Sequence, residues 1–408
     1  MIGAVSPRPN DEQPLSKRQR ERLRRQTHKE RMRRMDEAIA RRTQDRSGSP
    51  VRVVGSLMLL LAVLAGISAV FVQVGQKGAG GSIEAASANA EHPDTAADPG
   101  SAKTSGSSTD EKGGAITVAV VGDMTLGSGD GLPRDNARDM FAGVSSILRG
   151  ADLTIGSLQG TLSVGGDGQC PGAAAAVCNP YQAPPDNAAA LQGAGFDVMD
   201  VATQHAYDYG QAGLNQTLAA LDRYGIHSAG IRDRIATFDA GGTRVAVVGF
   251  APYAWSNPPQ LLGKVAGLVG EAASQADVVI VLGGGAPVSH AFSHVAMRAG
   301  ADLVIGSGPD SIYSIERYSG RLIAYSMGNF AGYHSFSLDG DRSVSAILEI
   351  HLSPSGVVRG GRLHSIVLTG PGFPAPDPKN RAVKLVNGLS RSGAAAAFPM
   401  SASGTFSG

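Results

Sequence analysis

Polar side chains of the kinds that hold a cation or move a proton recur where short apolar runs end. Gly122 and Asp123 follow ITVAVV in VVGDMTLG, and Ser157 and Gln159 lie in GSLQGTLS. Gln204, His205 and Asp208 lie together in ATQHAYDYG, Asp310 stands in GSGPDSI, and Asn329 in YSMGNF. In α/β folds, ligand sites gather at the C-terminal ends of strands. Asp, His and Asn side chains drawn from several such ends can together hold a metal ion. Taken singly each signal is weak, since a Gly-Asp after a strand makes turns and a lone histidine packs or caps.

The elements that must position these residues follow from the hydrophobic pattern. Ile116 to Val121 is a short β-branched run and reads as a buried strand. A helix is expected over Ala137 to Leu148, with others near Ala188–Gln192 and Leu214–Tyr224. Strands are expected at Leu153–Ile155, Val198–Ala202, Val245–Phe250, Val278–Leu282 and Leu303–Ile305. Hairpins follow: Ile312–Tyr318 with Arg321–Ser326 about Ser319–Gly320, and Ser343–Leu352 with Val357–Leu368 about Pro354–Gly356. Strand–helix units followed by antiparallel hairpins fit a layered α/β sandwich with mixed sheets. His290 and His294 are four residues apart on an expected helix, so they share a face, which reads as helix surface.

Several segments, in order, resemble the bacterial capsule-synthesis CapA family, associated with poly-γ-glutamate capsules. They run from VVGDMTLG through FDVMDVATQHAYDYGQAGLNQTLAALDRYGI to GADLVIGSGPDSIYSIERYSGRLIAYSMGNF, and the resemblance covers about Ile116 to Phe398. It implies a fold like the calcineurin-like metallophosphoesterases, with a metal held by acidic, Asn and His side chains at loop tips. Asp123 matches the family's first acid and His205 the histidine of its Asn-His pair. Other positions depart: Ser157 stands for Asn, Gln159 for Glu, and Gln204 for the Asn before the histidine. The family's His-Trp-Gly becomes Gly283–Gly284–Gly285, and its His-Pro-His becomes Gly308–Pro309–Asp310.

The resemblance therefore implies a degenerate metal site. Asp123 and His205 would be its remaining catalytic and metal-holding groups. Ser157, Gln159, Gln204, Asp310 and Asn329 would be binding groups. Gln159 lacks the charge a hard cation wants, and tight binding of a divalent metal is not expected. Two functions compete. One is a binding or scaffold pseudoenzyme for an anionic or cell-wall polymer, working with a membrane polymer synthase complex. The other is a metal-dependent hydrolase or transferase acting on an envelope polymer or phosphoester. Arg134, Arg138, Arg232, Arg234, Arg317 and Arg321 are the candidates to clamp carboxylates.

Charge and hydropathy supply the setting. Residues 1–52 hold fifteen Lys and Arg against seven Asp and Glu, a net charge of +8, while the whole chain of 408 residues carries +1. That balance argues against a nucleic-acid partner, and the basic tail reads as disordered and in contact with lipid headgroups. Val53 to Val72 has no charged residue over about 20 positions, long enough to cross a bilayer. The excess of arginine before the span, in residues 53–74, places the N-terminus in the cytoplasm. The chain thus reads as a single-pass protein of the cell membrane with its folded domain, residues 115–398, outside. Residues 75–114 read as a flexible Gly/Ala/Ser linker and 399–408 as a disordered tail. Cys170 and Cys178 have no zinc-like spacing, and outside the cytoplasm they read as a disulfide.

Overall fold

The structure, a computed structural model, describes residues 114–128, 131–169, 179–285, 288–308, 310–392 and 398–408. The basic tail, the apolar span, nearly all of the linker and both cysteines lie outside the described residues. Among the described residues no helix is long and apolar enough to cross a membrane.

The strands in chain order begin with β1 (Ile116–Thr125), β2 (Leu153–Leu158), β3 (Thr161–Leu162), β4 (Gln182–Ala183), β5 (Val198–Asp200) and β6 (His227–Ala229). Next come β7 (Ala236–Ala240), β8 (Thr243–Phe250), β9 (Val278–Gly283), β10 (Leu303–Gly306), β11 (Ile315–Tyr318) and β12 (Arg321–Ala324). The last are β13 (Asn329–Gly332), β14 (Val344–Leu352), β15 (Val358–Thr369), β16 (Phe373–Pro376) and β17 (Thr405–Ser407). The helices are α1 (Ser145–Leu148), α2 (Ala188–Ala194), α3 (Gly210–Arg223), α4 (Leu262–Gln275), α5 (His290–Ala299) and α6 (Arg381–Ser392).

Two mixed sheets face each other. One has the order β16-β15-β14-β1-β2-β5-β6, with β13 also on β1 and β17 also on β15. The other runs β11-β12-β10-β9-β8-β7. The period of two along each strand divides the core. Val118 and Val120 of β1 join Val245 and Val247 of β8 in the layer between the sheets. Their neighbours Ala119 and Val121 face outward, into the layer under α1, α2 and α3. Ala246 and Val248 likewise face outward under α4 and α5. The fold is a mixed α/β sandwich of four layers.

Two expectations are corrected. The stretch from Ala137 to Leu148 is a series of turns with only α1 helical, because Asp135, Asn136 and Ala137 take positive φ values of 53°, 54° and 63°. Residues 399–408 are not a disordered tail. β17 pairs with β15 at Gly360–Arg362, and its Phe406 is buried against Phe398 with ring centroids 4.8 Å apart. This aromatic anchor, the backbone pairing and side-chain bonds such as Asn387 to the Met400 carbonyl fix a segment whose composition looks structureless.

Candidate functional site

Register builds the site. Asp123 on β1 pairs with Asn329 on β13 and with Ser157 on β2. Ser157 pairs with Asp200 on β5, which in turn pairs with Ala229 on β6. A single row across the first sheet therefore reads Asn329, Asp123, Ser157, Asp200. The loop before β13 is pressed against β1, where the Asp123 amide donates to the Gly328 carbonyl at 2.8 Å. A Cβ at Gly122 would stand 1.9 Å from that carbonyl oxygen, so the close approach requires glycine there.

Asp123 is 4% exposed. Burial pushes its carboxyl up to about 6, with Ser157, Gln159 and Ser307 around it opposing the shift and the charge of Asp310 adding to it. Its Oδ1 and the Oε1 of Gln159 are both buried without a hydrogen-bond partner. The Ser157 hydroxyl donates to Ser307 Oγ at 3.2 Å, which ties the row to the end of β10 in the second sheet. Asn329 is buried and its amide reaches Asp310 Oδ1 at 3.5 Å, a loose contact. The other Asp310 oxygen lies 3.8 Å from Arg342 Nε, with both side chains more than half exposed.

Asp200 is the residue that sequence reasoning missed. It is 3% exposed. Burial raises its carboxyl to about 7, the Ala202 amide opposes this, and the charge of Asp123 adds to it. Its Oδ1 accepts from that amide at 2.9 Å. The sequence did carry a signal, since an acidic residue inside the apolar run VMDVA is rarely buried without a reason.

His205 and Gln204 lie on the loop after β5. His205 Nδ1 meets Asp208 Oδ2 at 2.7 Å, and the same oxygen accepts from the Tyr181 amide at 2.7 Å. The Tyr181 ring lies on the imidazole with centroids 4.3 Å apart. Burial raises the Asp208 carboxyl, and His205 opposes the shift. No hydrogen bond or ion pair joins His205 to Asp123 among the described residues, and Gln204 is exposed. Above the row, Trp255 stacks between Tyr207 and Tyr253, each pair of centroids 4.9 Å apart. The charge of Asp123 helps burial raise the Tyr253 hydroxyl, which places the end of this aromatic stack near the site.

At the end of β9, where the resemblance implies His-Trp, Gly283 and Gly284 leave no room for a side chain. A Cβ at Gly283 would stand 2.1 Å from Val288 Cγ1, and one at Gly284 would stand 1.9 Å from the Ala202 carbonyl oxygen. Gly308 has φ +122°, a backbone that favours glycine. Beside them Phe250, Pro252, Gly283, Val288 and Phe292 line a largely apolar cavity of about 270 Å³. Of the six proposed arginine clamps, Arg317 donates to the Ser407 carbonyl, and Arg321 to the carbonyls of Met297 and Ala301 and to Asp302, so neither is free.

A divalent metal, which the resemblance implies, does not fit this donor set. Asp123 and His205 join no third His, Cys, Asp or Glu at ligating distance among the described residues. The groups that hydrogen-bond Asp123 are neutral hydroxyls and an amide, which add no charge to balance a dication.

Comparison with known proteins places the chain in a family. The bacterial capsule synthesis protein family PGA_cap matches residues 117–333, from β1 to just past β13. The capsule biosynthesis protein CapA of Bacillus anthracis is 25% identical over 271 residues, 59% of this chain and 65% of that protein. The PGA biosynthesis protein CapA of Bacillus subtilis is 26% identical over 200 residues, 41% of this chain and 50% of that protein. The chain thus spans one half to just under two thirds of the relatives it matches. A hypothetical protein from Thermus thermophilus superposes with a TM-score of 0.43 at 16% identity, covering 61% of this chain and 98% of that one. The purple acid phosphatase PPD1 of yellow lupin gives 0.32 at 8% identity, covering 65% and 54%. Neither superposition bears on activity. Because the matched stretch takes in more than half of the chain and every residue of the row, the protein belongs to the PGA_cap family of bacterial capsule synthesis proteins.

Proposed function

We propose that the protein is a membrane-anchored binding or scaffold component of capsule or envelope polymer synthesis, with a polymer of the poly-γ-glutamate kind as its ligand. The observation that carries this reading is the closed, ligand-poor surround of Asp123. Neutral Ser157, Gln159 and Ser307 stand about the carboxylate, and Val288 fills the space where a histidine from Gly283 would enter. The mixed α/β sandwich is of the kind the resemblance implies, and the groups around Asp123 offer hydrogen bonds in place of cation ligands. In this reading residues 53–74 span the membrane, residues 1–52 touch lipid on the cytoplasmic side, and the domain meets a membrane polymer synthase complex outside. Cys170 and Cys178 form a disulfide there.

One observation favours the competing reading, a metal-dependent hydrolase or transferase. The unpartnered oxygens of Asp123 and Gln159 are buried acceptors of the kind a cation satisfies. The deciding experiment is elemental analysis of the dialysed full-length chain alongside phosphoesterase and polyglutamate hydrolase assays and polymer co-sedimentation. Polymer binding without turnover is expected. A bound metal and a hydrolytic activity, both abolished by Asp123→Ala, would establish the enzyme instead.

A further inference from the structure

Away from the Asp123 row, α5 lies over the hairpin of β11 and β12. Ser289 caps the helix by accepting from the Phe292 amide at 3.2 Å, which fixes where its first turn begins. The i, i+4 spacing then sets His290 and His294 on the face turned toward the hairpin. There they meet Glu316 of β11, whose side chain is only 7% exposed. His294 Nε2 stands 3.1 Å from Glu316 Oε1, and His290 Nδ1 stands 3.6 Å from Oε2. The Tyr325 hydroxyl donates to Oε2 and lies 2.7 Å from His290 Nδ1. That hydroxyl donates to the carboxylate and holds it in place.

We propose that His290, His294 and Glu316 form a binding site for a borderline transition-metal cation, with Zn²⁺ as the fitting ion. One ligand atom from each of the three lies within 4.8 Å of the others. Tetrahedral zinc with bonds of about 2.0–2.1 Å separates its ligand atoms by about 3.3 Å, so closure needs shifts of an ångström or so. The spacings of 3.1 Å and 3.6 Å to the carboxylate already bracket that value. Two imidazoles and a carboxylate suit Zn²⁺ and disfavour Mg²⁺ and Ca²⁺, which take oxygen ligands. Among the described residues the ion-pair partners of buried Glu316 are these two histidines, and no Lys or Arg competes for it. His290 is more than half exposed, so a fourth position opens to solvent for water or a ligand. A bound ion joins α5 to the β11–β12 hairpin, two elements linked here through side chains.

The test uses the full-length chain stripped with a chelator and titrated with zinc chloride by calorimetry, and with Co²⁺ as a spectroscopic probe. One equivalent of zinc binds at micromolar concentration or tighter, millimolar Mg²⁺ does not displace it, and Co²⁺ gives the intense visible bands of a four-coordinate site. The His290→Gln/His294→Gln variant loses this equivalent, its affinity falling more than about 100-fold with two of three ligands gone. Asp123→Asn keeps it, which separates this site from the Asp123 row. Zinc raises the thermal midpoint of the parent chain and leaves that of the double variant unchanged. The single variant His290→Gln, at the most exposed ligand, weakens binding in a chain that keeps its fold. No zinc uptake, or an equivalent retained by the double variant, overturns the proposal.

Discussion

The Cβ that Gly283 lacks would stand 2.1 Å from Cγ1 of Val288. Val288 has a short, β-branched side chain with few rotamers and cannot swing away cheaply. Gly283→Ala is therefore expected to destabilise the protein by about 1–3 kcal/mol through overpacking. Val288→Ala in the same chain opens the space and recovers about 1 kcal/mol or more of that loss. Denaturant midpoints of the two single variants and the double variant close the cycle. Strict additivity would show that Val288 does not occupy the path of a side chain at 283.

Asp200 makes stability depend on pH. Its carboxyl moves from the ordinary 3.8 to about 7 on folding, first through burial and then through the charge of Asp123. Between those values the native state holds a proton that the unfolded chain has released. Stability therefore falls as pH rises through this window and levels off above it. Asp200→Asn keeps an oxygen for the Ala202 amide and removes the charge. The variant is expected to match the parent at pH 4 and to exceed it by about 2–4 kcal/mol at pH 8. Parallel unfolding curves at both pH values check this, and an unchanged difference would count against the burial argument.

Asp208 Oδ2 serves two partners, the Tyr181 amide and His205 Nδ1, each at 2.7 Å. Asp208→Ala leaves both without their acceptor and is expected to cost about 1–3 kcal/mol. Asp208→Asn retains one acceptor and should cost distinctly less. Urea midpoints rank the two, and equal losses would mean that charge rather than hydrogen bonding holds this loop.

Polymer binding should also follow pH. Burial raises Asp123 to about 6 and Asp200 to about 7, so acidification removes negative charge from the row before it neutralises a polymer carboxylate. Co-sedimentation with poly-γ-glutamate is expected to tighten several-fold from pH 8 to pH 6, and Asp123→Asn/Asp200→Asn should flatten the profile. Binding that weakens on acidification would place the polymer elsewhere.

What the sequence made legible follows the range over which each signal acts. Alternating apolar runs placed most strands, because burial on one face leaves a period-two trace. Asp123, Ser157 and Asn329 at strand ends entered one row, because register sets neighbours once strand order is known. Asp200 escaped notice because it looks like an interruption in a core strand and not the end of one. The partners of His205, Asp208 and Tyr181, were not legible, since a loop's side-chain directions depend on local packing. His290 and His294 were visibly on one helical face, while Glu316 lies 22 residues beyond His294 and only packing brings it there.

β15 is longer than any strand beside it, and β16 and β17 divide one of its flanks. β16 takes Ile366–Thr369, and β17 takes Gly360–Arg362. The last residues thus act as a cover over unpaired amides and carbonyls. A chain cut before Thr405 would present the Gly360–Arg362 backbone as an open template for a strand from another molecule. Such a truncation should lose solubility through self-association while the Asp123 row keeps its strands.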